Sequence, residues 1–279
     1  MKKCNWNIED IVAIVTTVAK EELLPRFSKI KVKKKMDGSL LTAADVAVQN
    51  KIRFELEKLD SEILFLSEEM SEKEQDEQLK QHDKAVWVLD PLDGTTNFAA
   101  GIPYYAISLA LLENGEAILG IVYDPEREEC FIAEKGRGAR LFTQNNAPLR
   151  LHTENTRIAL KDAVACIDLK RLPQQLAVNL VTRHPFRSQR SFGGVALDWC
   201  WLAAGRFDVY LHGKQNIWDY AAGLLIFTEA GGSSSGLDGA PVFINQLQPR
   251  SGVGAVSQSL FNDWLDWLTA TANTESADI

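Results

Sequence analysis

The sequence lacks the features of a secreted, membrane-spanning or zinc-binding protein. Its 279 residues include only four cysteines, which are widely spaced without a C-x-x-C pair, and no secretory leader precedes them. No apolar run approaches the roughly 20 residues needed to cross a bilayer, and the four histidines are too scattered to suggest a zinc site. We therefore expect a cytoplasmic protein without a membrane partner. Its free thiols would be Cys4, Cys130, Cys166 and Cys200.

An excess of positive charge is also missing. The chain contains 30 Lys+Arg against 38 Asp+Glu, which gives a formal net charge of −8 and a sequence pI near 5.2. Proteins that hold nucleic-acid backbones need clustered Lys and Arg, so we expect no nucleic-acid partner. The composition, 46% hydrophobic and 24% charged, is typical of a folded globular protein.

Apolar periodicity predicts two helices followed by a sheet in the first half of the chain. The helices are expected over 8–24 and from Thr42, where Thr42 to Asp45 has capping-box spacing. Strand-length apolar runs follow at 63–66, 85–89, 104–112, 116–124 and 128–134, with a hairpin turn at Asn114-Gly115. The polar segment 71–84 is interpreted either as a solvated linker or as a mobile loop over a site.

From about residue 150 the pattern changes to an alternation of strands and helices, which predicts an α/β layer. Strands are expected near 163–167, 207–211 and 252–256, and helices over 172–182, 195–204, 219–230 and 260–268. We place the boundary in the polar stretch 143–157. This gives an N-terminal α+β half, residues 1–148, and a C-terminal α/β half, residues 149–279.

Two carboxylates follow one buried-type strand. Asp90 ends the strand, Pro91 stops the ladder because it has no N–H, and Asp93 follows in a turn that Gly94 allows to tighten. Taken alone, the two acids are equally well explained as residues that initiate a turn.

Two further acidic sites lie at predicted element ends. Glu68 follows the run 63–66, and Asp219 stands at the start of an apolar helix, where the helix dipole favours an acid. Brought together with Asp90 and Asp93, these acids would repel one another unless cations lay between them. Hard oxygen ligands select Mg²⁺, Ca²⁺ or Mn²⁺. The spacing leaves open whether the four acids converge.

The segment 90–98, Asp-Pro-Leu-Asp-Gly-Thr-Thr-Asn-Phe, closely resembles the D-P-[IL]-D-G-T-x-N-F signature of the inositol monophosphatase family of magnesium-dependent, lithium-sensitive phosphatases. Residues 218–232 resemble the second signature of that family, and the resemblance extends in order and spacing over almost the whole chain. It implies a five-layered α-β-α-β-α sandwich. It also implies a homodimer that hydrolyses a small phosphorylated metabolite.

The resemblance implies metal ligands as well. One Mg²⁺ would be held by Glu68, Asp90 and the Leu92 carbonyl. A second would be held by Asp90, Asp93 and Asp219, and a weaker third ion by Glu68 through water. Mn²⁺ or Ca²⁺ would substitute in binding.

By the same resemblance, the substrate phosphate would lie against the backbone N–H groups of Gly94 and Thr95, next to Asp93. The Thr95 hydroxyl, hydrogen-bonded to Asp45, would accept the proton of the attacking water, and Glu68 is counted with this pair as catalytic.

The sequence departs from the family pattern in two places. Ser67 stands where the family has glycine, and 210–217 does not align with the segment in which the family places a glutamate against the inositol hydroxyls. The resemblance implies inositol-1-phosphate or a related sugar or polyol phosphate as substrate, and these two departures weaken the case for inositol specificity. The alternatives are a 3′-phosphoadenosine nucleotide, fructose 1,6-bisphosphate, NADP or histidinol phosphate, or a non-catalytic role in binding metal and phosphate.

The sequence leaves two possible roles for each of three basic residues. His212 and Lys214 either contact a second acidic group of the substrate or lie on the surface. Lys35 either matches a family lysine near the active-site loop or is one of several solvated lysines.

Overall fold

The computed structural model describes residues 7–27, 33–34, 40–81, 84–144, 146–153 and 158–272. Cys4 and Lys35 lie outside these ranges. The helices of the described residues are α1 (Ile8–Val18), α2 (Ala43–Leu59), α3 (Glu72–Leu79), α4 (Thr95–Ala100), α5 (Gln174–Thr182), α6 (Val195–Ala203), α7 (Ile217–Glu229) and α8 (Gln258–Ala272). The three-residue 3-10 turns are Leu24–Arg26, Leu160–Asp162 and Leu169–Arg171, and a π-helical turn at Ala19–Leu23 extends α1.

The strands form two large sheets and one small one. The small sheet pairs β1 (Lys33–Lys34) with β2 (Leu40–Leu41). The seven-stranded sheet contains, in order, β3 (Leu64–Ser67), β4 (Val86–Asp93), β5 (Ala106–Glu113), β6 (Glu116–Asp124), β7 (Glu129–Glu134), β8 (Gly138–Thr143) and β9 (Asn146–Arg150). Only its β3–β4 pair is parallel.

The second large sheet has five strands. They are β10 (Val164–Asp168), β11 (Ser188–Arg190), β12 (Val209–Gln215), β13 (Ser233–Ser235) and β14 (Arg250–Ala255), in the spatial order β11-β10-β12-β14-β13. Strand β10 is parallel to both of its neighbours, and β14 is antiparallel to β12 and β13.

The layers follow from the two faces of the seven-stranded sheet. Along β5, Ile107, Leu109 and Leu111 pack in a core with α1 and α2, whereas Ala110 and Leu112 pack in a second core with α6 and α7. Both faces are covered, which explains the nearly continuous apolar sequence of these strands. The five-stranded sheet packs against α6, and α5 and α8 lie on its other side. The predicted α-β-α-β-α sandwich is confirmed.

Helix α7 packs closely in the middle layer. A Cβ added to Gly120 of β6 would lie 2.7 Å from the Ala222 carbonyl oxygen of α7, and one added to Gly223 would lie 2.8 Å from Cβ of Trp199 in α6. Glycine at these two positions therefore allows α7 to approach the sheet and α6. The position of Asp219, in the first turn of α7, depends on this packing.

Several local predictions are wrong. The polar segment 71–84 is not a linker, because it contains α3, which begins at the N-cap Ser71 with a capping box to Glu74. The sequence patterns also did not predict β8, β9, β11 and β13, of which β9 lies within the polar stretch 143–157. Pro91 does not end β4, because a register shift between Asp90 and Asp93 accommodates it within the strand. The division at residue 148 remains a prediction.

Candidate active site

The main cavity of the described residues has a volume of about 750 Å³ and is lined by both halves of the chain. The seven-stranded sheet contributes the region of Glu68, Asp90 and Asp93, and the five-stranded sheet contributes Asp168 and His212. Asp219 of α7 and the loop before α6 complete the wall. The structure thus brings the four predicted carboxylates Glu68, Asp90, Asp93 and Asp219 to one cavity.

The end of β4 places two of these acids. Asp90 and Asp93 are buried, and Asp90 Oδ1 accepts a hydrogen bond of 2.9 Å from the Leu92 N–H within the bulge. Gly94 follows at φ +85, and an added Cβ there would lie 2.9 Å from the Tyr104 carbonyl oxygen. The predicted tight turn at Gly94 is therefore present, and it starts the short helix α4.

The other two acids reach the cavity from neighbouring elements. Because β3 is parallel to β4, with Ser67 opposite Leu89, Glu68 comes directly beside Asp90. The Glu68 N–H continues the ladder with a 3.2 Å hydrogen bond to the Leu89 carbonyl oxygen. Asp219 lies in the first turn of α7, where its Oδ2 accepts from the Asn216 N–H at 2.7 Å. Its carboxylate is thus fixed by a helix cap.

Burial and neighbouring carboxylates raise the pKa values of Asp90, Asp93 and Asp219. Burial, followed by the charges of Glu68, Asp93 and Asp219, raises the pKa of Asp90 well above its usual value. Burial and then Glu68 raise the pKa of Asp219 in the same way. The pKa of Asp93 rises to about 7, chiefly through burial and secondly through Asp198. Among the described residues, burial and neighbouring like charge therefore disfavour the ionised forms of Asp90, Asp93 and Asp219.

This donor set fits hard divalent cations. It consists of carboxylate oxygens together with the Leu92 carbonyl, and it contains no thiolate. Asp45 also has a buried Oδ1 without a hydrogen-bond partner, and the charge of Glu68 contributes to raising its pKa after the larger effect of burial. Within the described ranges, however, no three His, Cys, Asp or Glu side chains are already grouped to hold an ion. The carboxylates would have to close around one.

The predicted hydrogen bond between Asp45 and Thr95 is not formed in this structure. The Thr95 hydroxyl donates to the Leu92 carbonyl oxygen at 3.0 Å. Asp45 Oδ2 accepts from the N–H and hydroxyl of Thr42, at 2.7 and 2.5 Å, as a capping-box acid. Local capping therefore satisfies one oxygen of Asp45, while Oδ1 is left unpaired. Gly94 and Thr95 both line the cavity, as expected for substrate-binding residues.

Sequence reasoning missed the partners of Asp93. Its two oxygens accept from the N–H groups of Val195 and Ala196 at 3.1 and 2.9 Å, at the start of α6. One turn further, the buried Asp198 accepts from the Tyr104 hydroxyl at 2.8 Å, and burial raises its pKa to about 7. The pair Gly193-Gly194 before an apolar helix was the one available signal for this helix start.

A hydrogen-bonded pair of an aspartate and a histidine on the five-stranded sheet forms the opposite wall. Asp168, the last residue of β10, is the register partner of His212 in the middle of β12, and His212 Nε2 lies 3.1 Å from Asp168 Oδ2. The hydrogen bond from His212 lowers the pKa of Asp168. His212 is thus a buried part of the cavity wall, whereas Lys214 is exposed and does not line the cavity.

No helix of the described residues is long and apolar enough to span a membrane. Cys130, Cys166 and Cys200 are free and buried.

Comparisons with known proteins agree with this geometry. A family profile described as "Inositol monophosphatase family" matches residues 7–270. The inositol-1-monophosphatase of Bacillus subtilis (strain 168) is 32% identical over 197 residues, which is 70% of this chain and 74% of that protein. The protein named Nus factor SuhB of Pasteurella multocida is 40% identical over 150 residues, which is 52% of this chain and 54% of that protein.

Solved structures share the fold. An IMPase from Thermotoga maritima superimposes with a TM-score of 0.78 at 26% identity, covering 95% of this chain and 97% of that one. An IMPase/NADP phosphatase complexed with Mg²⁺ and phosphate has a TM-score of 0.76 at 22% identity, with 94% of this chain and 92% of that chain covered.

Proposed function

The chain belongs to the inositol monophosphatase family, and from this membership we propose that its phosphomonoesterase activity depends on Mg²⁺ and acts on a small polyol or sugar phosphate such as inositol-1-phosphate. One observation carries the proposal. Burial and neighbouring carboxylates raise the pKa values of Asp90, Asp93 and Asp219, and these acids share with Glu68 a cavity large enough for a phosphorylated metabolite.

The proposed ligand sets are Glu68, Asp90 and the Leu92 carbonyl for one ion, and Asp90, Asp93 and Asp219 for a second. When bound, the ions would neutralise phosphoryl charge and lower the pKa of an attacking water. A complex of Mg²⁺ and phosphate in a protein of the same fold is consistent with this assignment.

The protein's own groups would then orient the substrate. The N–H groups of Gly94 and Thr95 would hold phosphate oxygens. Thr95 would have to release the Leu92 carbonyl, to which its hydroxyl now donates, in order to pair with the free Oδ1 of Asp45. That exchange would leave the Leu92 carbonyl available as a ligand and place Thr95 to take up a proton.

A panel of phosphomonoesters tests the proposal. Phosphate release would be compared among inositol phosphates, sugar phosphates, histidinol phosphate and nucleotide phosphates, with and without Mg²⁺ and Li⁺. We expect Mg²⁺-dependent turnover that Li⁺ inhibits and that Asp93→Asn abolishes. Turnover that is the same in EDTA as in Mg²⁺ would contradict the metal assignment, and a preference for a nucleotide phosphate would contradict the substrate class.

A second candidate comes from the relative named Nus factor SuhB. This candidate is a non-catalytic role in binding metal and phosphate. The non-catalytic role would be favoured if the metal-free protein binds Mg²⁺ in calorimetry but the Mg²⁺-loaded protein releases no phosphate from any member of the panel. We also propose a cytoplasmic homodimer, for which light scattering should give twice the chain mass of 31.1 kDa.

A further inference from the structure

Helix α3 makes an unexpected contact with the acidic wall. It follows Glu68 in the chain, and half of its eight side chains are exposed, but Gln75 is buried and Leu79 packs in the core shared with α6 and α7. A buried glutamine on an otherwise polar helix needs hydrogen-bond partners, because an unpaired amide in a protein interior is costly.

The partners of Gln75 are the two carbonyl groups on either side of the Glu68 α-carbon. Its Nε2 donates to the Ser67 carbonyl oxygen at 2.8 Å and to the Glu68 carbonyl oxygen at 3.2 Å. The first carbonyl belongs to the peptide plane before the Glu68 α-carbon and the second to the plane after it. Both protons of one amide are thus used on adjacent planes.

A third hydrogen bond completes the restraint. The Glu68 N–H, in the first of these planes, donates to the Leu89 carbonyl oxygen of β4. With both planes held, the backbone dihedrals of Glu68 are fixed, and so is the direction in which its Cα–Cβ bond leaves the chain. The restraint acts just beyond the end of β3, where the ladder would otherwise stop holding the backbone.

We propose that Gln75 is a positioning residue for the Glu68 carboxylate, and that α3 thereby forms part of the metal site. The inference rests on the proposed function, because it takes Glu68 to be a metal ligand. It identifies a role for the segment that the sequence analysis interpreted either as a solvated linker or as a mobile loop over a site. Groups that orient metal ligands typically contribute about 10- to 100-fold to metal affinity.

The test uses Gln75→Met, which keeps the length and helix propensity of the side chain but removes its donors. Gln78→Met makes the same change on the same helix at a position that does not line the cavity. We expect calorimetry on the metal-free protein to give a Mg²⁺ Kd raised about tenfold by Gln75→Met and unchanged by Gln78→Met. Because saturating Mg²⁺ fills the site even when its affinity is reduced, the kcat of Gln75→Met should then stay within about twofold of that of the parent.

A double-mutant cycle with Glu68→Gln separates positioning from general destabilisation. If Gln75 acts through Glu68, adding Gln75→Met to Glu68→Gln should weaken Mg²⁺ binding no further. Amide exchange across 72–80 checks that α3 remains folded in each variant.

The failures of the two hypotheses are distinguishable. No Mg²⁺ binding by the parent protein, or equal binding by Glu68→Gln, would overturn the proposed metal site itself. A second set of results would overturn only the positioning role. In that case the parent binds Mg²⁺ and Glu68→Gln binds it more weakly, but Gln75→Met either leaves the Kd unchanged or weakens binding further when it is added to Glu68→Gln.

Discussion

The two walls of the cavity both carry acids, but the protein treats their charge in opposite ways. On the wall built by β4 and α7, Asp90 and Asp219 face other carboxylates, and their pKa values are raised. On the wall built by the five-stranded sheet, Asp168 faces His212, and its pKa is lowered. Within the described residues, His212 is the hydrogen-bond partner of Asp168 on the second wall, whereas burial and like charge disfavour the ionised forms of Asp90 and Asp219 on the first.

The two kinds of acid have opposite effects on the free energy of unfolding. A paired carboxylate stabilises the folded state in its ionised form, and a crowded one destabilises it. Under the proposed function, the crowded wall would be the reactive end of the cavity, and the paired wall would shape the space for the rest of the substrate.

The largest difference between the two walls is expected in phosphatase activity when one acid on each wall is replaced by asparagine. Asp90→Asn removes a proposed ligand of both ions, so we expect phosphatase activity at saturating Mg²⁺ to fall by about 10³-fold. Asp168→Asn, the matched change on the other wall, should stay within about tenfold of the parent. Phosphate-release assays measure both, and equal losses in the two variants would contradict the division of roles.

The pH dependence of stability should sharpen the same comparison. The pKa values of Asp93 and Asp198 are about 7 in the folded protein, against an ordinary value of 3.8. Because these pKa values are raised, the stability of the metal-free protein is greatest below about pH 3.8 with respect to these groups and falls as pH rises towards 7. The loss is on the order of 4 kcal/mol for each carboxyl.

Calorimetric unfolding at pH 5 and 7.5 measures this loss. In EDTA the melting temperature should be lower at pH 7.5, and Mg²⁺ should reverse most of the part due to Asp93. Asp198 is not a proposed metal ligand. Asp198→Asn should therefore remove only the part of the pH-dependent decrease in melting temperature that is due to Asp198, and the increase on adding Mg²⁺ should remain. A metal-free protein that is more stable at pH 7.5 would contradict the raised pKa values.

The smallest effect is expected from the paired wall. His212→Ala removes the partner of Asp168, which should cost about 1 to 2 kcal/mol of unfolding free energy at pH 7. The pKa of Asp168 is lowered, so its stabilisation is present above about pH 3.8 and is lost as pH falls through the folded-state pKa. Urea unfolding at pH 7 and pH 3 should therefore show the difference shrinking. A decrease in kcat comparable to that of Asp90→Asn would place His212 in the reaction instead.

Sequence patterns predicted the crowded wall better than the paired one, for a physical reason. Asp93 is the last residue of β4, directly before the tight turn at Gly94, and Asp219 lies in the first turn of α7, so local signals indicate both positions. Asp90 lies within β4, three residues before Asp93 in the same short motif. The contact of Asp168 with His212 joins residues 44 positions apart through the register of β10 and β12, which no local pattern encodes.

Helix α3 was missed for another reason. The spacing of Ser71 and Glu74 is that of a capping box, which was a usable signal, but the helix has no apolar stripe. Its inner face consists of Gln75 and Leu79, and only the tertiary contacts of Gln75 reveal what that face does. Likewise, the amides of Val195 and Ala196 become partners of Asp93 only when the two halves of the chain meet.

The close approach of α7 to Gly120 has a kinetic consequence. Asp219 reaches Asp90 only after a helix from one half of the chain has docked on a sheet from the other, more than 100 residues away along the sequence. Such long-range contacts form late in folding. An ion that binds between these acids has little to bind in the transition state, and so it should slow the rate of unfolding while leaving the rate of folding almost unchanged.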